Sequence, residues 1–144
     1  MRVIVARNAG FCFGVRRAVE MAQNEVRDRG KVYTWGKLIH NETVIRDLAA
    51  EGIQPVETLD GLEAGDTLII RAHGAPPSLF ADCRKRGIRT VDATCPFVHR
   101  IHPIVEAAAK GRIPVYIAGK RTNPEVIGTA GWAQDRAIIL ETPE

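Results

Sequence analysis

Thr67-Leu68-Ile69-Ile70-Arg71-Ala72-His73-Gly74-Ala75-Pro76-Pro77 is the stretch whose reading decides the fold. Thr67 to Arg71 is a nearly continuous apolar run, the pattern of a strand buried on both faces. It passes into a short loop that holds a histidine and a glycine. Pro77 then suits the first turn of a helix, where a missing N–H costs nothing. The spacing predicts a helix from about Pro77 to Arg86, closed by Gly87. The unit is therefore strand, short loop with one chemically capable residue, helix start.

Working outward, the same unit recurs. Upstream, Lys31 to Trp35 reads as a strand and runs into a loop carrying His40. Asn41 is a good N-cap for a helix through Ala50, which Gly52 ends. A short strand follows at Ile53 to Val56, then a polar turn around Asp60-Gly61. Further upstream, Val3 to Ala6 reads as a strand leading to Gly10-Phe11-Cys12-Phe13-Gly14. A helix from about Phe13 to Arg29 places Val15, Ala18, Val19, Ala22 and Val26 on one face, with Gly30 as its stop. Downstream, Arg89 to Asp92 is a strand that runs into Ala93-Thr94-Cys95-Pro96. A helix is expected from there to about Lys110, ended by Gly111. Ile113 to Ala118 is the next strand. Thr122, Asn123 and Glu125 follow in its loop, then a helix to about Trp132 and a strand from Ala137 to Leu140.

This alternation predicts an α/β fold, with parallel sheets flanked by helices and right-handed crossovers. A boundary near Cys95 divides it: residues 1–95 form a first α/β lobe, and residues 96–144 an incomplete second lobe.

The chain has 144 residues, of which 45% are hydrophobic and 26% charged, the balance of a globular domain. No apolar run approaches the ~20 residues of a membrane span. The N-terminus lacks the layout of a signal peptide, so a cytoplasmic setting is expected. The net charge of +3 fits an anionic ligand but does not argue for nucleic acid. The three cysteines, Cys12, Cys83 and Cys95, are widely spaced and include no C-x-x-C pair. In a cytoplasmic chain they do not suggest disulfides.

The loops after the strands carry the chemistry. Cys12, His40, His73, Thr94 and Cys95 occupy them in turn, then Thr122, Asn123 and Glu125. In an open parallel sheet such loops share the carboxyl edge, where ligands bind. Helix starts at that edge offer N–H donors suited to phosphate. A cysteine just before a helix has its thiolate favoured by the same N–H groups. Two histidines, a Lys120-Arg121 pair and several helix starts suggest a phosphorylated, diphosphate-like ligand. Two cysteines at the same edge suggest a metal centre or a redox pair. Glu125 reads either as a complement to its helix dipole or as a proton donor beside an anion. Cys83, between Asp82 and Arg84 on a helix, reads as a structural thiol. His99 and His102 read as surface or packing residues. A non-redox phosphate- or nucleotide-binding module is the alternative, although no G-x-G-x-x-G or Walker sequence is present.

Gly10-Phe11-Cys12-Phe13-Gly14-Val15, His40-Asn41, Ala72-His73-Gly74, Asp92-Ala93-Thr94-Cys95-Pro96 and Asn123-Pro124-Glu125-Val126-Ile127-Gly128-Thr129 occur in that order. In this ordered set the chain resembles the LytB family, along essentially its whole length. The resemblance implies a reductive dehydroxylation of an allylic diphosphate, giving isopentenyl and dimethylallyl diphosphate in the last step of the non-mevalonate isoprenoid pathway. It implies a 4Fe-4S cluster held by three cysteines, and an external electron donor such as ferredoxin or flavodoxin. It carries Cys12 and Cys95 over as cluster ligands, His40 and His73 as diphosphate binders, and Glu125 as the proton-delivery residue. Asn123 stands where many members have a histidine; it can still donate to phosphate but cannot become cationic. The family's chains are about twice as long, with three similar lobes around a cleft. The third cysteine ligand is therefore expected beyond Glu144, and residues 1–144 alone are expected to be inactive.

Overall fold

The structure is a computed structural model that describes residues 2–7, 9–28 and 31–142. Four parallel strands form the first sheet: β1 (Val32–Trp35), β2 (Ile53–Val56), β3 (Thr67–Ile70) and β4 (Arg89–Asp92), in the order β2-β1-β3-β4. Val32 pairs with Ile53 on one side and Thr67 on the other, and Thr67 pairs with Arg89. β2 holds Pro55, which lacks an N–H and is suited to the edge it occupies.

β3 is buried at all four positions, and its alternation divides the core. Ile69 faces one cluster with Ala18 and Ala22 of α1 (Phe13–Asp28) and Leu48 of α2 (Glu42–Ala50). Leu68 and Ile70 face the other, with Leu79 and Cys83 of α3 (Pro77–Arg86). Helices therefore cover both faces, as a two-sided apolar strand requires. Each such Leu or Ile contributes about 1.5–3 kcal/mol by leaving water.

Local signals set the helix ends. Asn41 is extended, at φ −144°, and its side chain accepts from the Val44 N–H at 3.1 Å. Gly87 takes the left-handed conformation at φ 71° and closes α3. The expected end of the first helix at Arg29 and its stop at Gly30 lie outside the described residues.

Two expectations are corrected. Val3 to Ala6 is not a strand: these residues have no regular structure, and Val3, Ile4 and Val5 are exposed. An apolar run becomes a strand only where a neighbour supplies hydrogen-bond partners, and this segment lies on neither edge of the sheet. The helix expected from Pro96 to Lys110 is two helices, α4 (Pro96–His99) and α5 (Ile101–Lys110), joined at Arg100. Pro103 has no N–H to give the His99 carbonyl, which interrupts the ladder there.

The second sheet pairs β5 (Val115–Ala118) with β6 (Ala137–Leu140), also in parallel. Between them run α6 (Pro124–Trp132) and a 3-10 turn, Gln134–Arg136. In both strands, half-buried residues alternate with exposed ones, and Tyr116, Ile138 and Leu140 are open to solvent.

Candidate functional site

Because the four strands are parallel, the segments that leave their carboxyl ends meet at one edge. His40 follows β1, His73 follows β3, and Thr94 and Cys95 follow β4. Backbone hydrogen bonds tie these segments together. The Ala72 N–H donates to the Leu38 carbonyl at 3.5 Å, and the Cys95 N–H donates to the Ala72 carbonyl at 2.9 Å. The Asp92 carboxylate accepts from the Thr94 N–H at 2.9 Å and from the Thr94 hydroxyl, which shapes the turn before Cys95.

His40 and His73 face one another, with ring centroids 4.6 Å apart and planes tilted by 57°. They line a cavity of about 210 Å3 together with Phe11, Val15, Ile39, Asn41 and Ala72. Burial, with the nearby charges of His40 and Arg71, pushes the His73 imidazole down to about 4. At neutral pH His73 is uncharged, and its buried Nδ1 has no protein partner. A bound anion would supply that partner and favour the imidazolium. Arg71 adds a half-buried cation on the same turn, and its guanidinium lies against Gly36. In the sequence Arg71 reads only as the end of the Thr67–Arg71 strand. Its signal was a charged residue following an apolar run at the ligand edge.

The two expected ligand thiols come to the same region. Cys12 is exposed directly before α1, and its carbonyl accepts the Arg16 N–H at 3.0 Å. Cys95 is half-buried before α4. Its sulfur rests on Gly14: a Cβ added there would stand 2.6 Å from the Cys95 Sγ. Gly14 therefore lets the turn that carries Cys12 pass over the second sulfur. Arg17 reinforces the contact by donating to the Thr94 carbonyl at 3.3 Å. Cys83 lies on the other face of the sheet, fully buried, and burial pushes its thiol up. Among the described residues, no three His, Cys, Asp or Glu side chains group as a metal site.

Asn123 and Glu125 do not line the histidine cavity. They border a separate groove of about 430 Å3 beside β5, with Ile101, Tyr116, Gly119 and Val126. This groove is larger because the two-stranded sheet leaves an open face; it gathers fewer capable groups. Asn123 caps α6, its side-chain oxygen accepting from the Glu125 N–H at 2.9 Å. The Asn123 amide nitrogen is left to donate elsewhere. His102, expected as a surface or packing residue, is buried and stacks on Trp132, at 5.1 Å between centroids and 14° between planes.

An α/β sheet edge that gathers two thiols beside a pair of imidazoles defines the class: a parallel-sheet α/β protein whose candidate site lies in the loops at the carboxyl ends of its strands. The family model described as LytB protein matches residues 3–144, and the chain belongs to that family. It is 43% identical over 148 residues to the 4-hydroxy-3-methylbut-2-enyl diphosphate reductase of Thermoanaerobacter sp. (strain X514), covering 100% of this chain and 51% of the relative. A solved structure of (E)-4-hydroxy-3-methyl-but-2-enyl diphosphate reductase, described as the terminal enzyme of the non-mevalonate pathway, superposes with a TM-score of 0.83 at 40% identity, over 98% of this chain and 51% of that one. The Plasmodium falciparum reductase structure gives a TM-score of 0.89 at 33% identity, over 94% and 43%. The chain thus spans about half the length of the curated relatives it matches. Among the described residues, no helix is long and apolar enough to cross a membrane.

Proposed function

We propose that the protein containing this chain reduces 4-hydroxy-3-methylbut-2-enyl diphosphate to isopentenyl and dimethylallyl diphosphate. The reaction takes two electrons and two protons and releases water. One observation carries the reading: Cys95 seats on Gly14, beside the turn of Cys12, at the sheet edge that also presents His40 and His73. The donors on this chain suit a 4Fe-4S cluster, since both are thiols and a glycine cradle replaces a side chain between them. Cys12 and Cys95 would be two of its three ligands, and the third would come from outside this chain. When bound, such a cluster supplies electrons and a Lewis-acidic iron.

The chain's own residues have separate tasks. His73 takes up a proton and, with His40, holds the diphosphate; Arg71 adds positive potential. The Asn123 amide donates to the same anion once substrate spans the two regions. Glu125 hands a proton to the departing hydroxyl. A one-electron donor of the ferredoxin or flavodoxin type delivers the electrons, in a cytoplasmic setting.

Anaerobic reconstitution of the complete protein tests this. Cys12→Ser and Cys95→Ser are expected to lose the iron and sulfide that the unaltered protein binds, while Cys83→Ser retains them. Diphosphate binding that persists in a protein unable to take up iron would favour a non-redox phosphate-binding module instead.

A further inference from the structure

The turn that presents His73 is held from outside its own sheet. The Gly74 N–H donates to the Arg71 carbonyl at 3.0 Å, and Gly74 itself is left-handed at φ 79°. Its α-carbon faces the His102 ring: an added Cβ would meet His102 Cε1 at 2.9 Å and Nε2 at 3.3 Å. His102 lies flat on Trp132, and the Trp132 indole N–H donates to the Ala75 carbonyl at 3.1 Å. From α6, Gly128 presses on the same backbone. A Cβ there would stand 3.3 Å from the Ala75 nitrogen, 3.4 Å from the Gly74 carbonyl carbon and 3.5 Å from the His73 oxygen. One turn on, a Cβ at Gly131 would collide with Pro76. Residues three apart share a helix face, so α6 lays a glycine face on the turn.

We infer that Gly128 and His102 are positioning residues for His73, setting where its ring stands in the cavity it shares with His40. His102 stands against the α-carbon of Gly74, and Gly128 against the His73 carbonyl oxygen, the Gly74 carbonyl carbon and the Ala75 nitrogen, so a shift there moves the backbone that carries the ring. The ring of His102 acts by shape: its buried Nε2 has no partner. The same contacts fix α6, which begins with Asn123 and Glu125, relative to the histidine cavity. The functional consequence rests on the reading of His73 as an anion binder; the positioning itself does not.

Two readouts on the complete protein, purified anaerobically, separate these claims. The first is the pH dependence, between pH 5 and 8, of His73 carbethoxylation by diethyl pyrocarbonate, followed by peptide mass spectrometry. The unaltered protein should show no titration of His73 in this window. Gly128→Ala and His102→Ala should each bring a midpoint up into it, whereas His102→Phe, which keeps a flat ring on Trp132, should behave as the unaltered protein. The second readout is affinity for inorganic diphosphate, expected to fall about tenfold in both alanine variants. An unchanged His73 profile in Gly128→Ala and His102→Ala overturns the inference, whatever happens to affinity. A changed profile with unchanged affinity upholds it and removes His73 from the anion site. Should Gly128→Ala fail to fold, the His102 pair carries the test, and loss in both His102 variants counts against a role for the ring's shape.

Discussion

β3 and β5 are made of similar residues and live in different surroundings. Thr67-Leu68-Ile69-Ile70 is buried at every position, whereas Val115-Tyr116-Ile117-Ala118 alternates between half-buried and exposed. β3 has a strand on each side and helices on both faces; among the described residues β5 pairs with β6 alone, and alternate positions of both strands are exposed. Neighbours, more than residue type, set burial. The consequence reaches the site. His40, His73 and Cys95 stand on the four-stranded sheet, laced together by main-chain hydrogen bonds. Asn123 and Glu125 stand on the two-stranded part, beside an open groove, and meet the first group through the contacts of α6.

The sharpest way to break this contrast is to separate the two groups from what completes them. Residues 1–144 expressed alone are expected to hold no stable cluster and to show no reductase activity, because on the proposed reading they supply two of the three ligand thiols, Cys12 and Cys95. Iron analysis and a dye-linked assay against the complete protein check this; a brown, active product would contradict it. Next in size is the core of the first sheet. Leu68→Ala removes a fully buried side chain and should cost about 2–5 kcal/mol, read from urea unfolding. The matching change on the second sheet, Tyr116→Ser, removes a side chain that is 66% exposed and should change stability by no more than about 0.5 kcal/mol. Similar losses at both positions would mean that the open face is covered in the complete protein.

Between these lies a pH effect. His73 is held down to about 4 in the fold, against an ordinary value of 6.5. Between those values the unfolded chain binds a proton that the folded chain refuses. The contribution of His73 to stability is therefore complete above 6.5 and is lost as pH falls toward 4. Binding of an anion has the opposite sign, because it favours the imidazolium. Inorganic diphosphate should bind more tightly as pH falls from 7 to 5, by less than about tenfold per unit, with proton uptake seen by calorimetry in buffers of different ionisation enthalpy. His73→Gln should flatten that slope. Asn123 cannot contribute to it, since an amide does not ionise in this range.

Much of the first sheet was legible in the residues because its signals are local. Asn41 and Gly87 mark helix ends through their own backbone and side-chain chemistry, and the Thr67–Arg71 run announces a two-sided strand. The same holds for part of the site: loops after parallel strands share an edge, so residue order alone puts His40, His73 and Cys95 together. Val3 to Ala6 misled because a strand is a property of a pair, and the apolar run does not name its partner. The break at Arg100 has a local signal too, in Pro103 four residues beyond His99, but a proline inside a periodic run does not by itself say whether the helix bends or divides.

Residue order, with the periodicity and turn chemistry it carries, was enough to specify the parallel α/β class and the loops that bear the thiols and imidazoles. Packing alone settled the rest. It seated the Cys95 sulfur on Gly14, lowered the pKa of the His73 imidazole through burial, and decided between surface and packing for His102 by stacking it on Trp132 behind Gly74. Those outcomes depend on groups far apart along the chain meeting at distances near van der Waals contact, and a one-dimensional pattern does not encode which of them will meet.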